Sequence, residues 1–447
     1  MKILAHTKSG DSIGLLDRFL NEGHQVRLFV DDPSLKTLGE GRFDKVSSMA
    51  EGVLWKPDFV FFDMVGSGKI ADGIRRQGLP VFGASEWLDD IELHREKGLE
   101  LCQKVGIKTP KTVTFKKMDE AIAYAKSNPE FLVTKINGNI SAESSFVADD
   151  SRGLVERLEF LKDSSDLSGA TFILQEKLKG IEVSSEVWFS KGKPIRPFNF
   201  TVELKKFYPG DQGPASGCMF SAVAPYLSPM PKMIEKTLKK IFPIVEKMGL
   251  STCIDINAMV LETTHEPIWM EFTARLGFSA CYALAATIDG DLGKFFYEVA
   301  TGKATRVPMN HSWGVALRTV ISPYPLEPID EKISHAIYES IKGQAVKSPK
   351  DKYIYLCEEV MKDKKGRYVT AGVDGLVAEC CGTSENLYDA WRQTQKRFEN
   401  IKVPGKMGRV SDGVDRAYKD TMKLKSWGFE VPSPTPSSVK KGALLGA

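Results

Sequence analysis

The first hundred residues alternate short β-type runs with helical apolar spacing, which restricts this part of the chain to βαβ units on a parallel sheet. Residues 2–5 and 26–30 read as strands around a helix at 13–21, and 59–63 and 81–83 repeat the signal around 70–77. A helix over 87–105 ends at Gly106 with Pro110 beyond it, which sets a boundary near residue 107. The β-rich stretch that follows places strands at 112–115, 131–136, 172–178 and 183–189, with helices near 120–126 and 153–161. The turn at Lys191-Gly-Lys193 suggests antiparallel pairing. One long amphipathic helix is expected over 232–248, a hairpin from strands 254–261 and 268–273, and a further helix over 288–300.

Pro323, Pro325 and Pro328 punctuate another boundary. Beyond it, strands at 353–361 and 368–371 flank a turn, followed by a strand at 376–381 and a helix at 386–398. The tail after Phe429 is rich in proline, serine and small residues and reads as disordered. The expected fold is α/β, with α+β parts, in four units: a substrate domain over 1–107, a small lobe over 108–190, a large lobe over 191–321 and a C-terminal domain over 322–428. A chain of 447 residues needs several such cores.

The 61 basic and 58 acidic residues nearly cancel, which disfavours nucleic acid as the main partner. Seven scattered cysteines and six scattered histidines lack metal spacing. The N-terminus has no signal-peptide core and no apolar run approaches bilayer length, so a reducing cytoplasmic setting without membrane contact is expected.

Asp255 and Glu271 stand inside apolar β runs, Asp255 between Ile254 and Ile256, Glu271 between Met270 and Phe272. Facing inward, such acids need a partner, and magnesium (or manganese) suits them because it takes oxygen ligands and bridges carboxylates to phosphates. Strand alternation puts Glu271, Thr273 and Arg275 on one face. The same spacing fits a solvated acidic edge equally well. Lys135, at the end of a strongly apolar strand, could reach a phosphate or simply snorkel. The crossing from Gln175 to Glu182 could offer backbone groups to a purine and a carboxylate to a ribose, or could be an ordinary connection. Residues 208–218 form a glycine-rich stretch containing Gly210, Asp211, Gly213, Pro214 and Ser216, and are expected as a functional loop. Gly66-Ser-Gly-Lys69 lacks the first glycine of a P-loop, and Gly10 lacks the companions of a dinucleotide fingerprint.

Taken in order, these pieces resemble the ATP-grasp ligases, and within them the phosphoribosylamine–glycine ligase (glycinamide ribonucleotide synthetase) family. The likeness runs from Met1 to about residue 425. It is carried by Pro80-Val-Phe-Gly83, Val105-Gly-Ile-Lys-Thr-Pro110, Gln175-Glu-Lys-Leu-Lys-Gly-Ile-Glu182, Gly210-Asp-Gln-Gly-Pro-Ala-Ser-Gly217 and Glu271-Phe-Thr-Ala-Arg-Leu-Gly277. The resemblance implies ATP and magnesium as cofactors and an amino acid and an amine as substrates, joined as an amide through an acyl phosphate. Glycine with 5-phosphoribosylamine, as in purine biosynthesis, is the pair it implies, in a monomer or homodimer.

By the same resemblance Arg95 and Lys135 would contact ATP, Glu176, Lys177 and Leu178 would form the adenine hinge, and Glu182 would bind ribose. Asp255, Glu271 and Thr273 would hold the metal, and Arg275 would pair with phosphate. Asp211, Gly210, Gly213, Pro214, Ser216 and Lys69 would border the acceptor. The family's Gly-Gly-Arg-Glu-His turn is here Thr7-Lys-Ser-Gly-Asp11, and its Gly-Pro-Glu segment is Met64–Lys69. Ser141–Ser145 replaces a Gly-Lys-Gly phosphate loop, and Thr273 replaces an asparagine. These departures leave open two other readings: a ligase for a different amine, such as a modified nucleotide, and a non-catalytic ATP-binding scaffold. A flexible segment at 137–145 is the expected lid.

Overall fold

The computed structural model describes residues 1–137, 145–164, 170–325 and 331–435. The lid expected at 137–145 and the last twelve residues of the tail lie outside them, apart from the backbone at 137 and 145.

The N-terminal strands β1 (Lys2–Thr7), β2 (Gln25–Val30), β3 (Asp44–Lys45), β4 (Phe59–Phe62) and β5 (Val81–Phe82) form a parallel sheet of order β3-β2-β1-β4-β5. The inner strand β4 is a continuous apolar run because both its faces are covered, all four of its residues being buried. Helices α1 (Ile13–Asn21), α2 (Met49–Leu54) and α3 (Gly68–Arg76) supply the crossovers. The single helix expected over 87–105 is two, α4 (Glu86–Leu93) and α5 (Arg95–Val105), broken at His94, whose backbone is extended. Gly98 allows the turn: a Cβ there would sit 2.8 Å from the Ile91 carbonyl oxygen.

A four-stranded antiparallel sheet of order β6-β9-β7-β8 follows, from β6 (Thr112–Phe115), β7 (Phe131–Asn137), β8 (Ser145–Val147) and β9 (Thr171–Glu176). Helices α6 (Met118–Ser127) and α7 (Ser151–Ser164) share an apolar cluster with it.

The largest element is an antiparallel sheet of eight strands, β14-β13-β10-β11-β12-β15-β19-β16. Its strands are β10 (Gly180–Ser190), β11 (Lys193–Tyr208), β12 (Gln212–Pro225), β13 (Thr252–Leu261), β14 (Pro267–Thr273), β15 (Trp313–Val320), β16 (Ile354–Leu356) and β19 (Leu376–Ser384). Strand β10, expected with the small lobe, is hydrogen-bonded here between β11 and β13. The C-terminal strands β16 and β19 extend the same sheet, so pairing runs across the boundary expected near residue 321. The expected 353–371 hairpin is shorter, made by β17 (Val360–Lys362) and β18 (Tyr368–Thr370).

The helix expected over 232–248 is interrupted. Helix α8 (Lys232–Lys236) passes through a 3₁₀ turn at Leu238–Ile241 into α9 (Phe242–Met248). Thr237 leaves helical geometry, and Pro243 has no N–H to continue the ladder. Helices α10 (Phe278–Thr287), α11 (Leu292–Thr301), α12 (Glu331–Ser340), α13 (Leu387–Asn400) and α14 (Gly413–Ser426) complete the chain. The start of the tail is not disordered: Phe429 and Val431 are buried, and Glu430 accepts bonds from the Leu227 and Lys232 amides. Two apolar side chains docked in the core outweigh the proline-rich composition around them. All seven cysteines are buried and free. No helix among the described residues is long and apolar enough to cross a membrane.

Candidate active site

Four adjacent strands of the large sheet present polar side chains on one face. Alternation brings out Glu182, Ser184 and Glu186 on β10; Asn199, Thr201, Glu203 and Lys205 on β11; Asp255 and Asn257 on β13; and Glu271 and Thr273 on β14. Cross-strand register sets them in rows. Asp255 stands opposite both Glu186 and Thr273, and Asn257 opposite both Ser184 and Glu271. Over this face lies a cavity of about 480 Å³, closed on the other side by Glu92 and Arg95 at the α4–α5 break.

The electrostatics are those of a mixed, crowded site. Burial, reinforced by Glu203 and Glu186, pushes the Asp255 carboxyl well above its usual range. Glu186 is pushed up to about 7 by burial, although it accepts a 2.6 Å bond from Trp188 Nε1. Against these acids stand three cations. Lys205 Nζ lies 2.8 Å from Glu182 and 3.2 Å from Glu271, and these carboxylates with Glu203 outweigh the opposing effect of burial and raise its pKa. Burial, then repulsion from Arg95, lowers Lys135 to about 8. Burial also opposes the charge on Glu271, but Lys205 and Lys135 prevail and hold that carboxyl below its usual range. Three buried oxygens on the face, Asp255 Oδ1, Asn257 Oδ1 and Asn199 Oδ1, have no hydrogen-bond partner among the described residues.

Of the residues singled out from the sequence, Arg95, Asp255, Glu271, Thr273 and Arg275 line the cavity. Glu182 and Lys135 join them through Lys205 and Glu271. Arg275 is partly committed: its Nε donates to Glu92 at 3.1 Å, its Nη1 to the Leu276 carbonyl at 2.9 Å, and its guanidinium lies over the Phe278 ring. Arg95 stacks on Trp269 and donates to Gln175, joining α5 to the small sheet. Glu176, Lys177 and Leu178 sit at the crossing between the two antiparallel sheets, where Glu176 exchanges backbone and side-chain bonds with Lys111 and Lys177 Nζ donates to the Ala148 carbonyl.

The glycine-rich stretch meets the cavity only at Gly217. It is the end of the β11–β12 hairpin, with a 3₁₀ turn at Pro209–Asp211. Asp211 is turned to the C-terminal segment, 3.0 Å from both Arg409 and Arg416, and Gly210 N–H donates to Asp412. Two guanidiniums therefore hold this carboxylate away from the cavity. Gly210, Gly213 and Pro214 are exposed with it, whereas Ser216 is buried, its carbonyl accepting from Arg318 and Tyr324. Lys69 is exposed on α3.

Sequence reading missed Glu186, Glu203, Lys205 and Asn257. A signal existed, since polar residues recur at every second position through 182–186 and 199–205. What could not be read was that the two strands are neighbours.

Residues 97–279 match the family described as phosphoribosylglycinamide synthetase, ATP-grasp (A) domain. The phosphoribosylamine–glycine ligase of Lactococcus lactis is 24% identical over 335 residues, covering 72% of this chain and 80% of the relative. That of Streptococcus suis is 27% identical over 433 residues, covering 92% and 99%. Among solved structures, phosphoribosylamine–glycine ligase from Thermotoga maritima superposes with a TM-score of 0.70 at 19% identity, covering 91% of this chain and 99% of that one. The biotin carboxylase domain of Hydrogenobacter thermophilus 2-oxoglutarate carboxylase, solved with MgADP, gives 0.63 at 12% identity, covering 95% and 98%. The chain has the ATP-grasp fold and is a divergent protein resembling the phosphoribosylamine–glycine ligases.

Proposed function

We propose that the protein is an ATP-dependent carboxylate–amine ligase. The observation that carries this reading is the cavity face on which Asp255, Asn257 and Glu271 meet Lys205, Lys135 and Arg95. Phosphoryl transfer needs anion-stabilising cations beside acids able to hold a divalent metal, with little other chemistry from the protein. The partnerless Asp255 and Asn257 oxygens and the Glu271 carboxylate on the adjoining strand make an all-oxygen donor set suited to magnesium, with Thr273 at its edge. When bound, the metal would neutralise charge on the ATP phosphates.

The chain's own groups divide the rest. Lys135, Lys205 and Arg95 receive the polyphosphate, Glu182 accepts from ribose hydroxyls, and the 176–178 crossing offers backbone groups to adenine. Glu92 fixes Arg275 at the cavity wall, where its charge faces the substrate carboxylate. The carboxylate oxygen takes the γ-phosphoryl group, releasing ADP. The amine nitrogen then attacks the acyl carbon, the C–O bond to phosphate breaks, and the nitrogen loses a proton. Relationship to the named ligases supports glycine and 5-phosphoribosylamine as the first pair to assay. A second reading, a different amine acceptor, is favoured by the buried Asp63 carboxylate beside the β1–α1 turn, where it accepts from Thr7 Oγ1 and the Ser12 amide.

The test is ATP-dependent ADP release with glycine and an amine, compared with the Asp255→Ala, Glu271→Ala double variant. Loss of release with the fold retained supports the reading. Equal release by the double variant overturns it, and no ADP release by the wild-type chain with any amine favours a scaffold.

A further inference from the structure

In the N-terminal sheet the chain runs from β1 outward to β2 and β3 on one side and returns to β4 and β5 on the other. The crevice beyond the carboxyl ends of β1 and β4 is therefore the topological switch point, where open parallel sheets bind their ligands. Such crevices commonly hold phosphate through free N–H groups at helix N-termini. Here those groups are already taken by the protein's own carboxylates. Asp63, directly after β4, accepts from the Ser12 amide leading into α1 at 3.4 Å and from Thr7 Oγ1 at 2.6 Å. Asp89 accepts from the Gly66 and Gly68 amides leading into α3, both at 2.7 Å.

More acid converges on the same place. Glu358 packs against the β1–α1 turn so closely that a Cβ on Gly10 would lie 2.9 Å from its own Cβ. Asp11, half-buried in that turn, repels both Asp63 and Glu358, and Glu358 is both hydrogen-bonded to Asp374 and raised by its charge. Asp63 is 2% exposed and Glu358 4%, yet Asp63 Oδ1 and Glu358 Oε2 have no hydrogen-bond partner among the described residues. Buried carboxylate oxygens without donors are costly unless a ligand supplies the donor. Of the nearby cations, Arg275 is bonded to Glu92 and Arg318 to Glu379, while Lys8 and Lys69 are exposed.

We infer that this switch-point crevice, with Asp63, Asp11 and Glu358 around it, binds a cationic amine bearing a second basic nitrogen and no phosphate. A diamine or polyamine is the class that fits, one nitrogen held by the carboxylates and the other left to attack. This rests on the ligase reading and narrows its acceptor.

The experiment has two arms on the full-length protein. In the first, ADP release from ATP, Mg2+ and glycine is followed with 1,4-diaminobutane or spermidine, and separately with freshly generated phosphoribosylamine. The expected result is saturable release with the diamine or polyamine, with its KM raised about tenfold by Asp63→Asn and by Asp11→Asn and the KM for ATP unchanged. Release with phosphoribosylamine alone overturns the inference and leaves the ligase intact. The second arm is calorimetric titration with spermidine and with ribose 5-phosphate, which does not depend on turnover. If no amine supports ADP release, the ligase reading fails, and this arm alone judges the crevice. Spermidine binding that weakens in Asp63→Asn supports the inference. Ribose 5-phosphate binding without spermidine binding overturns it, as does binding of neither.

Discussion

Lys205 Nζ lies 3.2 Å from Glu271 Oε1, so the acid that would face a divalent cation already carries an ammonium beside it. The same lysine holds Glu182, whose other neighbour, the Asn257 amide, donates to it at 2.9 Å. Lys205 is thus the cation that links the ribose end of the proposed site to its phosphate end.

Replacing it should disable turnover more than folding. Lys205→Met is expected to lower ADP release about a hundredfold, the scale on which removal of one transition-state donor is felt. Lys205→Arg should restore part of the rate. Steady-state kinetics beside a thermal melt checks this, and an unchanged rate in Lys205→Met would remove the lysine from the account.

Stability should fall as pH rises. Burial, with repulsion from Asp11, raises Asp63 from 3.8 to about 7, and burial raises Glu186 from 4.5 and Asp374 from 3.8 to about 7. The unfolded chain releases these protons first, so stability is greatest below the unfolded values and is lost as pH climbs through the folded ones. His6, lowered by burial to about 4, acts oppositely between 4 and 6.5, and Lys135, lowered to about 8, acts oppositely as pH nears 8, so two groups stand against three. Urea denaturation of the unliganded protein should show greater stability at pH 6 than at pH 8, by roughly 2 kcal/mol. Asp63→Asn should flatten the slope. Greater stability at pH 8 would contradict these environments.

The segment from Phe429 should behave as core. Phe429→Ala is expected to cost about 3 kcal/mol, within the range for large aromatic truncations. A loss of unfolding free energy below a tenth of that would mean that the segment is not docked.

How far these features are legible in the sequence differs by element. The βαβ order and the β13–β14 hairpin follow from periodicity, so Asp255 and Glu271 stand out from the sequence alone. Thr273 follows from alternation along the same strand, and Arg275 from continuing it two residues past the strand's end. The partner strands do not, because Lys205 reaches Glu271 only through the order β14-β13-β10-β11, which depends on pairings distant in sequence. Asp211 illustrates the reverse. Its glycine-rich setting suggests a ligand loop, but Arg409 and Arg416, some two hundred residues away, hold its carboxylate. Phe429 shows composition yielding to burial, since two apolar side chains in a polar tail suffice to dock it.

Carboxylate–amine ligation driven by cleavage of ATP to ADP leaves a defined set of products. The most direct measurement is simultaneous nucleotide chromatography and mass analysis of a reaction holding ATP, Mg2+, glycine and an amine panel containing phosphoribosylamine and spermidine. The expected products are ADP, phosphate and an amide equal in mass to glycine plus amine less one water, in equal amounts, all abolished by the Asp255→Ala, Glu271→Ala double variant. AMP and pyrophosphate in place of ADP, or an amide formed equally well by that double variant, would contradict it.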